Sequence, residues 1–132
     1  MTLLRASVLG GVDGVITSFA IVAGAHALDN ARRVVLVVGF SSVLADGLSM
    51  GVSEYVSSSA ERALRIAGPS PLRLSAICFV SFVGFGIVPL AAYLLGRQSL
   101  LGCAMFSLVE LMALGAVRSI LAEEFVLKGF LQ

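Results

Sequence analysis

Hydrophobic residues fall into four long runs separated by short polar breaks. The runs cover about 7–27, 34–58, 74–95 and 99–122, so each holds 21 to 25 residues. Wound as an α-helix at about 1.5 Å per residue, a run of that length crosses a hydrocarbon core of about 30 Å. Helix is the geometry that fits, because in lipid every backbone N–H and C=O must find its partner within the segment. The breaks are the polar turn Leu28–Arg33, a loop at 59–73 with Glu61, Arg62, Arg65, Gly68, Pro69, Pro71 and Arg73, and the tight turn Gly96–Gln98. The last ten residues, EEFVLKGFLQ, are too few to cross again. The pattern predicts an all-α protein, a polytopic membrane helical bundle of four transmembrane helices in a single domain spanning 1–132.

The second run departs from a plain apolar helix. Between Ser41 and Ser58, Ser42, Asp46, Ser49, Met50, Ser53, Glu54 and Ser57 fall on one face, an arc of roughly 140°. Val43, Leu44, Leu48, Val52 and Val56 fall on the other and suit lipid. Gly10 and Gly14 on the first run, with Gly47 and Gly51 on the second, form small-residue patterns that predict close contact between these two helices. Gly84, Gly86 and Pro89 predict a kink and tight packing in the third run. Tyr55 and Tyr93, near run ends, are expected at the membrane interface.

Composition changes the picture little. Only 13% of residues are charged, against about a quarter in a soluble domain. The net charge of +1 comes with no basic cluster, which removes nucleic acid as a partner and leaves membrane lipid. Arg5, Arg62, Arg65, Arg73, Arg118 and Lys128 lie on one side of the predicted spans, and Arg32, Arg33 and Arg97 on the other. That bias puts both termini in the cytoplasm. No secretory leader is expected, and Cys78 and Cys103, inside apolar runs, are expected to be buried free thiols.

Four carboxylates stand at predicted membrane depth: Asp13, Asp46, Glu54 and Glu110. Each costs roughly 2.5–3.5 kcal/mol at a span centre, so a compensating role is expected. Counting from the cytoplasmic ends predicts Asp13 level with Met50, Glu54 one turn nearer the cytoplasm, and Asp46 and Thr17 one turn deeper. Carboxylates alone suit Mg²⁺, Ca²⁺ or Mn²⁺, and a thioether among them moves the preference to Fe²⁺, with Mn²⁺ next. Asp13, Met50, Glu54 and Asp46 are therefore the candidate ligands of a divalent metal ion. Asp46, Thr17, Ser42, Ser49 and Glu110 are candidates for lining the polar path or carrying protons. Glu110 could instead pair across to another helix, and His26 reads as an interfacial residue or an exit ligand. No nucleophile–base pair, phosphate loop or Cys/His quartet appears, so no enzyme and no permanently bound cofactor are expected.

Two segments, GVDGVITSFAIVAGA (Gly11–Ala25) and ADGLSMGVSEYVS (Ala45–Ser57), resemble the vacuolar iron transporter family, its bacterial and nodulin-like branch in particular. GIVPLAAYLLG (Gly86–Gly96) and LGAVRS (Leu114–Ser119) are similar more weakly. The resemblance implies a homodimer whose ion path runs between the first two helices of both protomers. It also implies export of Fe²⁺, and often Mn²⁺, from the cytosol by proton antiport, with the pathway Asp at Asp13 and the pathway Met at Met50. The membrane would be a bacterial inner membrane, or a vacuolar one in a eukaryote. Ser42 stands where some members carry Glu. The short 59–73 loop leaves no room for the Glu-rich cytoplasmic domain of many members. The family has five spans against four here, which implies a lost or truncated fifth helix. The rival reading is a non-transporting membrane scaffold or accessory subunit, a shortened relative of the family.

Overall fold

The structure, a computed structural model, describes residues 2–64, 67–96 and 99–130, with side chains for 3–64, 67–96 and 99–120. Arg65, Arg97 and Gln98 lie outside the described residues, as does the side chain of Lys128. In chain order the elements are α1 (Thr2–His26), α2 (Ala31–Val34), a π-helical segment (Val35–Gly39), α3 (Phe40–Ala63), α4 (Pro71–Leu95) and α5 (Leu100–Phe130). No strand occurs among the described residues. The α2, π and α3 pieces follow without a break and form one rod, Ala31–Ala63. With α1, α4 and α5 it makes four helices long and apolar enough to cross a membrane.

Local chemistry explains where the helices begin. Ser70 sits in extended backbone ahead of α4, and its side chain accepts a hydrogen bond from the Arg73 amide at 3.4 Å. Pro71 follows in the first turn, where its missing N–H is no loss. Ser99 does the same for α5, accepting from the Gly102 amide at 3.2 Å. Helix ends differ from the sequence expectation. α1 begins at Thr2 rather than near Ser7, α3 runs to Ala63 rather than Ser58, and the stretch read as a tail continues α5 to Phe130. The π segment had no signal in the sequence. Its wide turn winds back part of the drift that a spacing of four accumulates on an α-helix, so Val35, Gly39, Val43, Gly47 and Gly51 all stay buried.

α4 is the centre of the bundle. α1 and α3 both lie along it, and α5 packs on α1 and α4. The contacts are made by small residues. A Cβ at Gly10 would stand 2.6 Å from the Cys78 carbonyl oxygen, and one at Gly14 would collide with the Phe82 carbonyl. Gly47 and Gly51 meet Phe79, Val83 and Ser75 of the same helix, and the Ser75 hydroxyl donates to the Gly51 carbonyl at 2.6 Å. The expectation that these glycines join the first two helices to each other is therefore corrected. Each pair lets its helix approach α4, because the third run offers the two flanks on which both can lie. Gly86 fits the tight packing expected of it, its Cα facing Gly14, Ser18 and Val43, while Gly84 faces open space.

The core holds Val22, Val35, Val43, Phe82, Leu90, Tyr93 and Cys103, with Ala6, Leu74 and Cys78 as a second cluster. Both cysteines are free and buried. Tyr93, expected at the interface, is 1% exposed, and Val43 packs inward instead of facing lipid. Leu44, Leu48, Val52 and Val56 do form an exposed apolar face.

Gly14→Val should destabilise the fold by about 1–3 kcal/mol or more, because backbone cannot move aside as a side chain can. Gly84→Val should be near neutral. Thermal unfolding of the two variants in detergent checks the contrast.

Candidate metal path

The predicted site residues sort onto two helices and one outlier. On α1, Gly11 is turned toward Phe85 of α4 and Leu114 of α5. Asp13 lies about 160° around the helix from Gly11, on the flank away from α5. Ala6, one heptad before Asp13 and so nearly on the same line, is buried with Leu74 and Cys78, and Met50 of α3 packs on that cluster. The Asp13 flank is thus the one that α3 approaches, and Thr17 continues it one turn on.

On α3, Val43, Gly47 and Gly51 face α4, with Met50 and Glu54 half-buried at the edge of that contact. Asp46, Ser49, Ser53 and Ser57 are exposed, and Ser42 is half-buried. The polar arc therefore begins at the packed edge and turns outward on the α1 side. Asp13 is exposed as well. By helical geometry the two polar flanks would form the walls of an open groove floored by α4.

α4 also serves as a ruler for depth. Gly10 comes against Cys78 and Phe82, and Gly14 against Phe82 and Gly86. Gly51 comes against Ser75 and Phe79, and Gly47 against Phe79 and Val83. α1 accordingly runs with α4, and α3 runs against it. Interpolating at about 1.5 Å per residue puts Asp13 and Asp46 within about 2 Å of one level, with Met50 about 7 Å nearer the start of α1. Thr17 and Ser42 share the next level beyond, and Glu54 lies beyond Met50 toward the start of α1. By backbone level Asp13 comes opposite Asp46 rather than Met50, because α1 and α3 extend past the predicted span edges and small-residue contacts with α4 set their register. The Met50 side chain also packs on the cluster that holds Phe82, the residue that Gly14 meets, so Met50 stays in one candidate set with Asp13 and Asp46.

Among the described residues, no three His, Cys, Asp or Glu side chains come close enough together to hold a metal ion. One protomer supplies two carboxylates on facing walls, with a thioether and hydroxyls nearby. His26 is not among them. It stands about 140° around α1 from Asp13, and its Nδ1 pairs with the Tyr93 hydroxyl at 3.0 Å, the two rings edge to face at 5.9 Å. That contact ties the end of α1 to α4 and pairs the hydroxyl of Tyr93, whose ring lies in the core cluster. Sequence reasoning missed Tyr93 because a phenol near a span end reads the same whether it faces the interface or a histidine. Glu110 lies apart as well, on α5.

Residues 4–68, which hold both walls of the groove, match the model of the VIT family. The chain is 51% identical over 59 residues to a "vacuolar iron transporter" of Toxoplasma gondii, a match covering 45% of this chain and 20% of that one. It is 39% identical over 64 residues to the protein of that name in Plasmodium falciparum, covering 48% and 23% of the two chains. Against "vacuolar iron transporter homolog 5" of Oryza sativa subsp. japonica it is 30% identical over 104 residues, covering 67% and 50%. The chain belongs to the VIT family. It spans about half the length, or less, of the curated relatives it matches. No solved structure matches it. Four apolar helices and membership of this family make it an integral membrane protein.

The depth assignment is open to direct measurement. Cysteines introduced as Asp13→Cys with Asp46→Cys should bridge with a shorter bifunctional thiol reagent than Asp13→Cys with Glu54→Cys, in a background with Cys78 and Cys103 replaced. Equal reach for both pairs would contradict the register given by α4.

Proposed function

We propose that the chain forms a divalent transition-metal transporter that exports Fe²⁺, and Mn²⁺ next, from the cytosol by proton antiport. The observation that supports this reading is the register of the glycine contacts with α4, which brings the backbone at Asp13 and Asp46 to about one level on neighbouring flanks of α1 and α3. Two carboxylates at membrane depth are costly on any face that meets lipid. A cation between them offsets that cost, and a groove that stays polar along its length gives the cation somewhere to go. Names of the matched relatives point the same way, since they are called vacuolar iron transporters or homologs of them.

Roles follow from position. Glu54, beyond Met50 toward the start of α1, raises the local cation concentration at the cytoplasmic mouth. Met50 offers a soft donor that hard ions such as Mg²⁺ and Ca²⁺ use poorly. Asp13 and Asp46 take the dehydrated ion, and Thr17, Ser42 and Ser49 line the way beyond with hydroxyls. Two carboxylates do not complete a coordination shell. The open side of the groove is where a second copy of the chain would stand, so the working unit is a homodimer through the first two helices, and its two grooves together would enclose the path. Both termini lie in the cytoplasm, and the host membrane is a bacterial inner membrane, or a vacuolar one in a eukaryote.

Loss of an outer-shell partner alone lowers metal affinity by roughly 10–100-fold, and loss of a ligand should cost at least as much. Asp13→Ala and Asp46→Ala should therefore each cut Fe²⁺ flux in proteoliposomes by at least that factor. Met50→Leu should narrow the preference of Fe²⁺ over Mg²⁺ while sparing part of the flux. Undiminished flux in the Asp13 and Asp46 variants would remove the site. A wild-type chain that dimerises but moves no metal would establish the scaffold reading instead.

A further inference from the structure

A second polar seam lies on the opposite flank of α1. On α5, Cys103, Ser107, Glu110 and Leu114 recur at the spacing of one helix face, and Cys103, Ser107 and Leu114 are all buried. Glu110 is on this inner line, and its Oε2 is buried with no hydrogen-bond partner. Across from it, Leu114 meets Gly11 of α1. α5 runs against α1, so seven residues on from Gly11, Ser18 comes opposite Ser107, seven residues back from Leu114, and Glu110 falls between these two levels. Ser18 is 0% exposed, and its Oγ is the other buried polar atom without a partner among the described residues. The two unpaired groups belong to one three-helix contact. Toward the start of α1 the same flank carries Ser7, which accepts from the Ser81 hydroxyl of α4 at 3.2 Å.

A buried carboxylate oxygen without donor or cation is costly in its ionised form. Among the described residues, the positions level with Glu110 on the neighbouring helices carry no counter-charge. α1 presents Gly11, Val15 and Ser18, and α4 presents Phe85, Gly86 and Pro89. On α5 itself the Cys103 thiol donates to the Pro89 carbonyl at 3.4 Å and the Ser107 hydroxyl to the Cys103 carbonyl at 2.9 Å. Arg118 is about 12 Å further along the helix, too far to pair. The one soft group on this line, the Cys103 thiol, is two turns from Glu110 and engaged with the Pro89 carbonyl, and among the described residues no second acid joins them to hold a metal. The group that a lone carboxylate can hold in such a place is a proton, and carboxyl and hydroxyl groups both donate and accept, as a relay requires.

Building on the transport reading above, we propose that Glu110 carries the coupled proton, along the α1–α4–α5 seam and apart from the metal groove. The carboxylate takes one proton from the non-cytoplasmic side to become the neutral acid, and gives the same proton up to the cytoplasmic side. The Gly10–Gly14 contact with α4 separates the two paths, so that cation and proton cross in opposite directions without sharing a carboxylate.

The test uses the full chain in proteoliposomes with a trapped pH dye and potential clamped. Mn²⁺ drives the exchange, and Fe²⁺ is run under reducing conditions. Glu110→Gln should keep metal binding in detergent at the wild-type level and lose metal-driven proton movement. Glu110→Asp should restore part of it. Proton movement in Glu110→Gln equal to wild type, or loss of metal binding in that variant, would overturn the assignment. Difference infrared spectra across a pH step give a readout that does not depend on transport. A protonated-carboxyl band should appear in wild type and vanish in Glu110→Gln, and its persistence in that variant would also overturn the assignment. Absence of metal flux in the wild type would sink the transport reading, while the infrared band would still decide whether Glu110 is the protonating group.

Discussion

The close approach of α1 to α4 is the constraint on which the rest of this structure depends. In lipid, apolar side chains gain little by leaving their surroundings for one another, so helices associate through dense packing and backbone proximity. Gly10 and Gly14 bring the backbone of α1 against the carbonyls of Cys78 and Phe82, nearer than any side chain would allow. Gly47 and Gly51 bring α3 to another flank of the same helix, against Ser75, Phe79 and Val83. Two helices fixed on one ruler have a fixed register with respect to each other, although each packs more extensively on α4 than on the other.

That indirect register decides where the charges meet. Asp13 and Asp46 are 33 residues apart in the chain and come to one level because each is anchored to α4 by a glycine one residue away, Gly14 and Gly47. The anchor residues must be small for the helices to pack, and the acids beside them are turned out of the contact into the groove. A shift of one turn in either contact would put Asp13 level with Met50 or with Ser42 and change the donor set from two carboxylates to a carboxylate with a thioether or a hydroxyl.

The two flanks of α1 have different characters. One carries Asp13 and Thr17 toward α3 and an open groove. The other carries Gly11 and Ser18 toward α5, where Leu114 fills the space over Gly11 and the hydroxyl of Ser18 and an oxygen of Glu110 are enclosed without partners. Open and enclosed polar groups suit different cargo, because a hydrated or partly hydrated metal ion needs room and several donors, whereas a proton needs only a group that can take it up.

The order of hydrophobic runs was enough to specify four long helices, since in hydrocarbon each backbone group must be satisfied within its own segment and nothing but length and apolarity enters. The motifs around Asp13 and Met50 were enough to place the chain in its family, and the arc on α3 was legible from a period of 3.6 residues. Partnership between helices was not legible. A small-residue stripe marks a surface that will be approached closely but carries no information about which helix approaches it, and here α4 received both stripes. Depth was not legible either, because counting from predicted span edges assumes that helices end where apolarity ends, while α1, α3 and α5 run past those edges. The pairing of Tyr93 with His26 and the isolation of Glu110 depend on side chains 67 residues apart and on a three-helix contact. Such features follow from packing among segments distant in the chain, which no local pattern contains.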